Sequence, residues 1–182
     1  MPERLERIQL VPLFLAAHSP LLPNLAAHLQ HTFAAPVLVR SPRFDPELAF
    51  DSARGQYSST VFLTHLLKEA PAVNQVILGI AGVDLFIPIL TYVFGEAQLG
   101  GRVAVVSSYR LTNTLYGLPA DDDRLTQRLL TEATHELGHT RGLVHCPLST
   151  CVMHSSTYVE DIDLKSTEFC ARCRSRLALS DS

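Results

Sequence analysis

No cysteine occurs before position 146 of this 182-residue chain. A secreted disulfide framework would spread its bridges along the sequence, so that class is excluded, and four cysteines crowded near the end need another explanation. There is no excess of positive charge either. The formal net charge is −3, and the one small basic group, Arg172, Arg174 and Arg176, reads as the solvated face of a helix. Nothing points to nucleic acid or an acidic membrane as partner. No apolar run is both long and unbroken. Leu10 to Ala17 is short and follows mixed charges (Glu3, Arg4, Glu6, Arg7) rather than a basic leader. Val76 to Phe94 is long enough to span a bilayer, but Asp84 and Pro88 interrupt it. Internal repeats and low-complexity tracts are missing, and no propeptide is evident before the first strand. These absences leave a soluble protein in a reducing compartment, read as the cytoplasm. The length suits one domain with a real hydrophobic core.

What is present alternates between strands and helices. Ile8 to Phe14 reads as a strand buried on both faces. Ser19 and Pro20 mark a helix start, as cap and first residue, with the helix running to about Thr32. Pro36 to Arg40 predicts a short strand, Ser41 to Gly55 a loop, and Ser58 to Glu69 a helix with Phe62, Leu63, Leu66 and Leu67 as its apolar stripe. Gln75 to Val83 is a central strand. Thr91 to Phe94 begins another, loosened by Gly95, and Arg102 to Ser107 is a third. Asp121, Asp122 and Asp123 open a long helix whose Leu125, Leu129, Ala133 and Leu137 face the core. Ser166 to Leu179 predicts a final helix carrying Cys170 and Cys173. The expected fold class is α/β (α+β) with a mixed sheet. Residues 1–121 would supply the sheet and its backing helices, and 122–182 the functional helix and the cysteines.

The most specific segment runs from His135 to His145: H-E-L-G-H-T-R-G-L-V-H. Histidines four apart project from one helix face, and imidazoles bind zinc at roughly 2.0–2.1 Å, so His135 and His139 can share one ion. Glu136, one residue step around the helix, stands beside that ion without displacing a water. Gly142 can adopt a left-handed conformation, end the helix and return His145 as a third ligand. Three protein ligands leave a fourth position open, which marks catalytic rather than structural zinc. The chemistry implied is hydrolysis by an activated water with Glu136 as general base. Cys146-x4-Cys151 and Cys170-x2-Cys173 together make a closed, all-thiolate, four-ligand site that would stabilise the fold. The expected cofactor content is therefore two zinc ions per chain.

Taken together, His135 to Cys146, Cys151-Val152-Met153 and Cys170-Ala171-Arg172-Cys173 resemble the archaemetzincins, a branch of the metzincin clan of zinc peptidases. Arg54-Gly55-Gln56-Tyr57 and Val83-Asp84-Leu85 match more loosely. Ser156, Asp163, Lys165 and Phe169 also fit, whereas Thr157 stands where the family usually has asparagine. The resemblance implies a metzincin fold with a twisted mixed sheet, an active-site helix, a methionine turn and a C-terminal helix. It implies catalytic zinc on His135, His139 and His145, Glu136 as base, and structural zinc on the four cysteines. Met153 would floor the imidazoles as a soft apolar residue.

Other histidines (His18, His28, His31, His65) read as surface or core filler, and His154 as pointing away from the zinc. Tyr158 is a weak candidate for stabilising an oxyanion. Asp84 ends a buried strand and is expected to bond backbone amides. The partner is a peptide or protein substrate, laid along a sheet edge near Thr91 to Gln98. Aminopeptidase action on short peptides is one version. A non-catalytic zinc-stabilised peptide binder and a zinc amidase acting on non-peptide substrates are the alternatives. The oligomeric state is left open.

Overall fold

The computed structural model describes residues 5–16, 19–70 and 74–180, the last three of these as backbone only. The reading of His18 lies outside them.

The strands with continuous apolar runs form the middle of the sheet. β1 (Arg7–Leu13), β5 (Gln75–Ala81) and β8 (Val103–Ser107) lie side by side and parallel, with β2 (Val37–Val39) parallel at one edge. At the other edge β7 (Gly95–Ala97) runs antiparallel to β8, giving the order β2-β1-β5-β8-β7. The sheet is mixed, as expected. β5 shows why a strand buried on both faces loses its alternation. Val76, Leu78 and Ile80 meet α1 (Leu21–Phe33) and α3 (Asp122–Thr140), while Ile77 and Ala81 meet α2 (Ser59–Glu69) behind. Leu129, Ala133 and Leu137 of α3 are buried against the first face, and Leu125 packs on its border.

Several local expectations are corrected. Pro20, not Ser19, is the cap residue and the helix begins at Leu21, although the Ser19 hydroxyl still accepts the Leu21 amide at 3.4 Å. The stretch expected as loop from Ser41 to Gly55 contains a turn of 3-10 helix at Pro46–Ala49, capped by the Asp45 carboxylate, and β3 (Phe50–Asp51). β3 pairs with β4 (Gln56–Ser58), which pairs with β6 (Leu85–Phe86), making a second small sheet. Thr91 to Phe94 is not a strand; Val93 forms an isolated bridge to Leu85, and the edge strand starts at Gly95. A short helix, α4 (Val159–Asp163), was not anticipated. The last helix, α5 (Ala171–Ser180), begins after Cys170 rather than at Ser166. The preceding residues pair instead with the loop below α3, the Ser166 amide with Thr150 and the Glu168 carbonyl with Val152. Among the described residues, no helix is long and apolar enough to cross a membrane.

Candidate metal centres and active-site cleft

α3 presents the first two imidazoles from a well-anchored start. The Asp121 carboxylate accepts the Arg124 amide at 2.9 Å, and Asp122 and Asp123 complement the dipole of the first turn. The His135 and His139 rings lie 4.6 Å apart between centroids. The helix ends at Arg141, and Gly142 takes φ 81°, a conformation costly for a side chain. That bend brings the His145 ring to 5.3 Å from His135 and 5.1 Å from His139. One nitrogen from each of the three lies within 4.8 Å of the others.

The hydrogen bonds of these rings show what the cluster suits. His135 Nδ1 donates to the Val152 carbonyl at 2.8 Å and His139 Nδ1 to the Leu143 carbonyl at 2.7 Å. A carbonyl only accepts, so each Nδ1 carries the proton and each Nε2 is a bare lone pair. Burial, and next the Lys165 cation, hold His135 well below the ordinary histidine pKa; burial also lowers His139 and His145. Burial thus favours the neutral form of each ring. The two Nε2 atoms face each other at 3.0 Å, and two neutral acceptors at that distance repel unless a cation lies between them. Tetrahedral zinc at its usual nitrogen distance sets neighbouring donors about 3.3 Å apart, so the residues fit that ion.

Glu136 is buried beside them, only 6% exposed. A Cβ at Gly95 would lie 2.7 Å from the Glu136 Cγ and Oε1, so the edge strand has glycine where the carboxylate needs room. Gly95 therefore belongs to the strand and clears the Glu136 side chain. Burial raises the Glu136 pKa well above the carboxylate range; Glu132, one turn back, adds to this and Lys165 opposes it. A carboxylate so placed accepts a proton more readily than an exposed one. Beneath it, Lys165 Nζ donates to Glu132 Oε1 at 2.7 Å and to the His154 carbonyl at 3.1 Å, both side chains of the ion pair being buried. The pairing was missed in sequence: Lys165 stood out only as a match to the family pattern, and Glu132 only as a glutamate one turn before Glu136.

The thiols form a second cluster. Cys146 Sγ and Cys170 Sγ are 3.9 Å apart, and Cys151 Sγ and Cys173 Sγ 3.8 Å. All four are free, and their sulfurs lie within 4.8 Å of one another. Tetrahedral zinc with its usual thiolate distance separates sulfurs by about 3.8 Å, whereas a disulfide joins them at roughly 2 Å, so this set also fits zinc. The Cys173 amide lowers the Cys170 thiol to about 7, while burial raises Cys151. Arg172, expected to be solvated, places its guanidinium 3.6 Å from Cys146 Sγ.

Met153 is fully buried, and its Sδ would lie 2.4 Å from a Cβ at Gly138, so the glycine inside H-E-L-G-H lets the methionine approach the helix. His154 turns away from the imidazoles and donates Nδ1 to the Cys146 carbonyl at 2.8 Å. His28 bonds Thr134, and His65 stacks on Phe44. Among the described residues, the Asp84 carboxylate bonds no backbone amide; it accepts the Gln56 side-chain amide and takes a two-pronged ion pair from Arg110 at 2.6 and 2.7 Å, because a half-buried anion next to a guanidinium gains more from that fork.

The imidazoles and Glu136 open onto a cleft of about 840 Å³. One wall is Ile87 to Ala97, ending in β7; Ser155 to Tyr158 form another. Among the described residues, the acidic side chains lining it are Glu96, Glu132 and Glu136, and no lysine or arginine lines it.

Residues 43–178 match the model of Peptidase family M54. The archaemetzincin of Methanocaldococcus jannaschii is 42% identical over 137 residues, covering 75% of this chain and 74% of that protein. The crystal structure of archaemetzincin from Methanopyrus kandleri superposes with a TM-score of 0.83 at 34% identity, covering 96% of this chain and 94% of that one. A structure described as a zinc-dependent peptidase from Methanocorpusculum labreanum gives 0.83 at 30% identity, over 93% of this chain and 99% of that one. The chain belongs to the archaemetzincins, peptidase family M54, a family of zinc-dependent peptidases.

Proposed function

We propose that this peptidase cleaves peptide bonds with zinc held by His135, His139 and His145 and with Glu136 as general base. One observation carries the reading: three donor nitrogens and a desolvated carboxylate open onto the same cleft. Zinc bound there supplies a Lewis acid that polarises a carbonyl and acidifies water. Glu136 takes the proton of the attacking water and returns it to the leaving amine, held in place by the space at Gly95. The Nδ1 bonds to Val152 and Leu143 fix the ring orientations. β7 ends the sheet order, so its outer edge is available to pair with an extended peptide.

A second zinc on Cys146, Cys151, Cys170 and Cys173 would brace the turn that carries His145. The sulfur spacings support it. Reduced cysteines are required for such a site, which favours a reducing compartment such as the cytoplasm. Aminopeptidase action is the finer version of the reading, supported by a cleft lined, among the described residues, by three carboxylates and no lysine or arginine, an environment suited to a free amine.

The test is a screen of zinc-loaded protein against quenched fluorogenic peptides, with metal analysis of the same samples. Cleavage that vanishes in Glu136→Gln while zinc remains near two per chain supports the proposal. Fully loaded protein with no Glu136-dependent cleavage of any peptide refutes it and favours a binding module or an amidase.

A further inference from the structure

The cleft wall from Ile87 to Phe94 has almost no secondary structure of its own, and Ile89 is 86% exposed. Backbone bonds hold its far end, the Val93 amide to the Leu85 carbonyl and the Ser107 amide to the Phe94 carbonyl, while near Leu90 and Thr91, side chains from elsewhere hold the backbone. They come from the turn before β4 and from the first residue of β4. Arg54 Nη2 donates to the Leu90 carbonyl at 2.8 Å, with its guanidinium 4.2 Å from the centre of the Phe86 ring. Buried Gln56 donates to the Thr91 carbonyl at 3.0 Å and to Asp84 at 2.9 Å. Asp84 in turn holds Arg110, whose guanidinium lies over the Tyr92 ring at 4.0 Å. Tyr92 then leaves its own wall. Its hydroxyl donates to the Thr157 carbonyl at 2.8 Å, in the facing segment Ser155 to Tyr158.

We propose that Arg54, Gln56, Asp84, Arg110 and Tyr92 are positioning residues. They clamp the 87–94 wall and, through Tyr92, tie it to the 155–158 wall, so that the peptide meets a preformed groove. The inference rests on the peptidase reading for its substrate, and it gives the Arg54-Gly55-Gln56-Tyr57 and Asp84 segments a task outside the chemical step. A groove ordered beforehand spares the peptide the cost of ordering it, so the effect belongs to binding rather than to bond cleavage.

Two variants of the full chain test it. Tyr92→Phe keeps the ring beneath Arg110 and its edge contact with Phe94, removing only the hydroxyl. KM for a fluorogenic peptide should rise about three- to tenfold, the scale of one net hydrogen bond, with kcat within about twofold and zinc content unchanged. Arg54→Ala alters an exposed residue that touches neither Tyr92 nor Thr157, so folding is spared. Amide hydrogen exchange should speed up at 87–94 and 155–158 in both variants and stay unchanged at 135–139. Exchange at 155–158 that responds to neither variant overturns the proposal, as does a fall in kcat at constant KM in Tyr92→Phe. A parent chain that cleaves no peptide would refute the peptidase reading alone, and the exchange data would still decide the relay.

Discussion

The imidazole cluster and the thiol cluster meet at adjacent residues, His145 and Cys146, yet they are built in opposite ways. The imidazoles are three, neutral, and open onto a cleft; His145 is exposed and His139 half-buried. The thiols are four and sit in an apolar nest with Leu143, Val152, Met153 and Phe169, and none of them lines the cleft. Donor count and exposure go together. Three donors, two on a rigid helix and one past its end, would leave room for a reactant on a shared ion, while four drawn from a loop and a helix start would close around one. The contrast shows how one short stretch can serve chemistry on one side and architecture on the other: successive side chains point to different places.

The sharpest way to break this contrast is to remove a donor from each cluster. Cys151→Ser should abolish the closed site and with it cooperative folding, since structural zinc contributes on the order of 10 kcal/mol. His139→Ala should stay folded and lose one metal only. Near-UV circular dichroism with metal analysis distinguishes them, and equal unfolding in both would erase the distinction. Next in size, Glu136→Gln should cut kcat by about 10²–10⁴ without loss of metal; parallel loss of zinc would show that base and ligands are one unit.

A smaller effect is expected at the ion pair under the cleft. Lys165→Met leaves Glu132 buried and unpaired and should destabilise the protein by about 3–5 kcal/mol in denaturant. Adding Glu132→Leu should recover most of it. A double variant as weak as the single would mean that the Lys165 bond to the His154 carbonyl is what matters.

The mildest effect concerns acid. His135 lies well below the usual histidine value because burial disfavours the imidazolium. An unfolded histidine takes up a proton near pH 6.5, while the folded one does not, so stability falls as pH drops below that value. Glu136, with a raised pKa, works the other way, keeping its proton in the fold above the ordinary carboxylate range. Zinc-free Glu136→Gln removes the larger part of that opposition, leaving Glu132, whose pKa burial also raises. The variant's melting temperature should fall steadily from pH 7 to pH 5, and a flat profile would contradict the assigned neutral rings. The thiol cluster has no such buried imidazole, which is how the measurement sharpens the comparison.

Much of this site was legible because it is local. The helical period puts His135 and His139 on one face, and the strands β1, β5 and β8 announce themselves as unbroken apolar runs. The edge strand was misplaced because glycine at 95 reads as a breaker, whereas here it makes way for Glu136 across the fold. Cys170 was put on a helix because its spacing to Cys173 is helical; long-range backbone bonds to Thr150 and Val152 hold the preceding residues off that path. Asp84 was read without Arg110, and Glu132 without Lys165, since partners 26 and 33 residues away leave no periodic trace.

By itself, then, the sequence marked out the three imidazoles, the four thiols and the bend at Gly142, because these follow from side-chain identity and from backbone preferences near each residue. Only the tertiary structure decided which carbonyls set the histidine tautomers, which cation lies beneath the base, and how the two walls of the cleft are tied. Those depend on packing between distant elements, where burial sets the strength of each charge and geometry selects its partner.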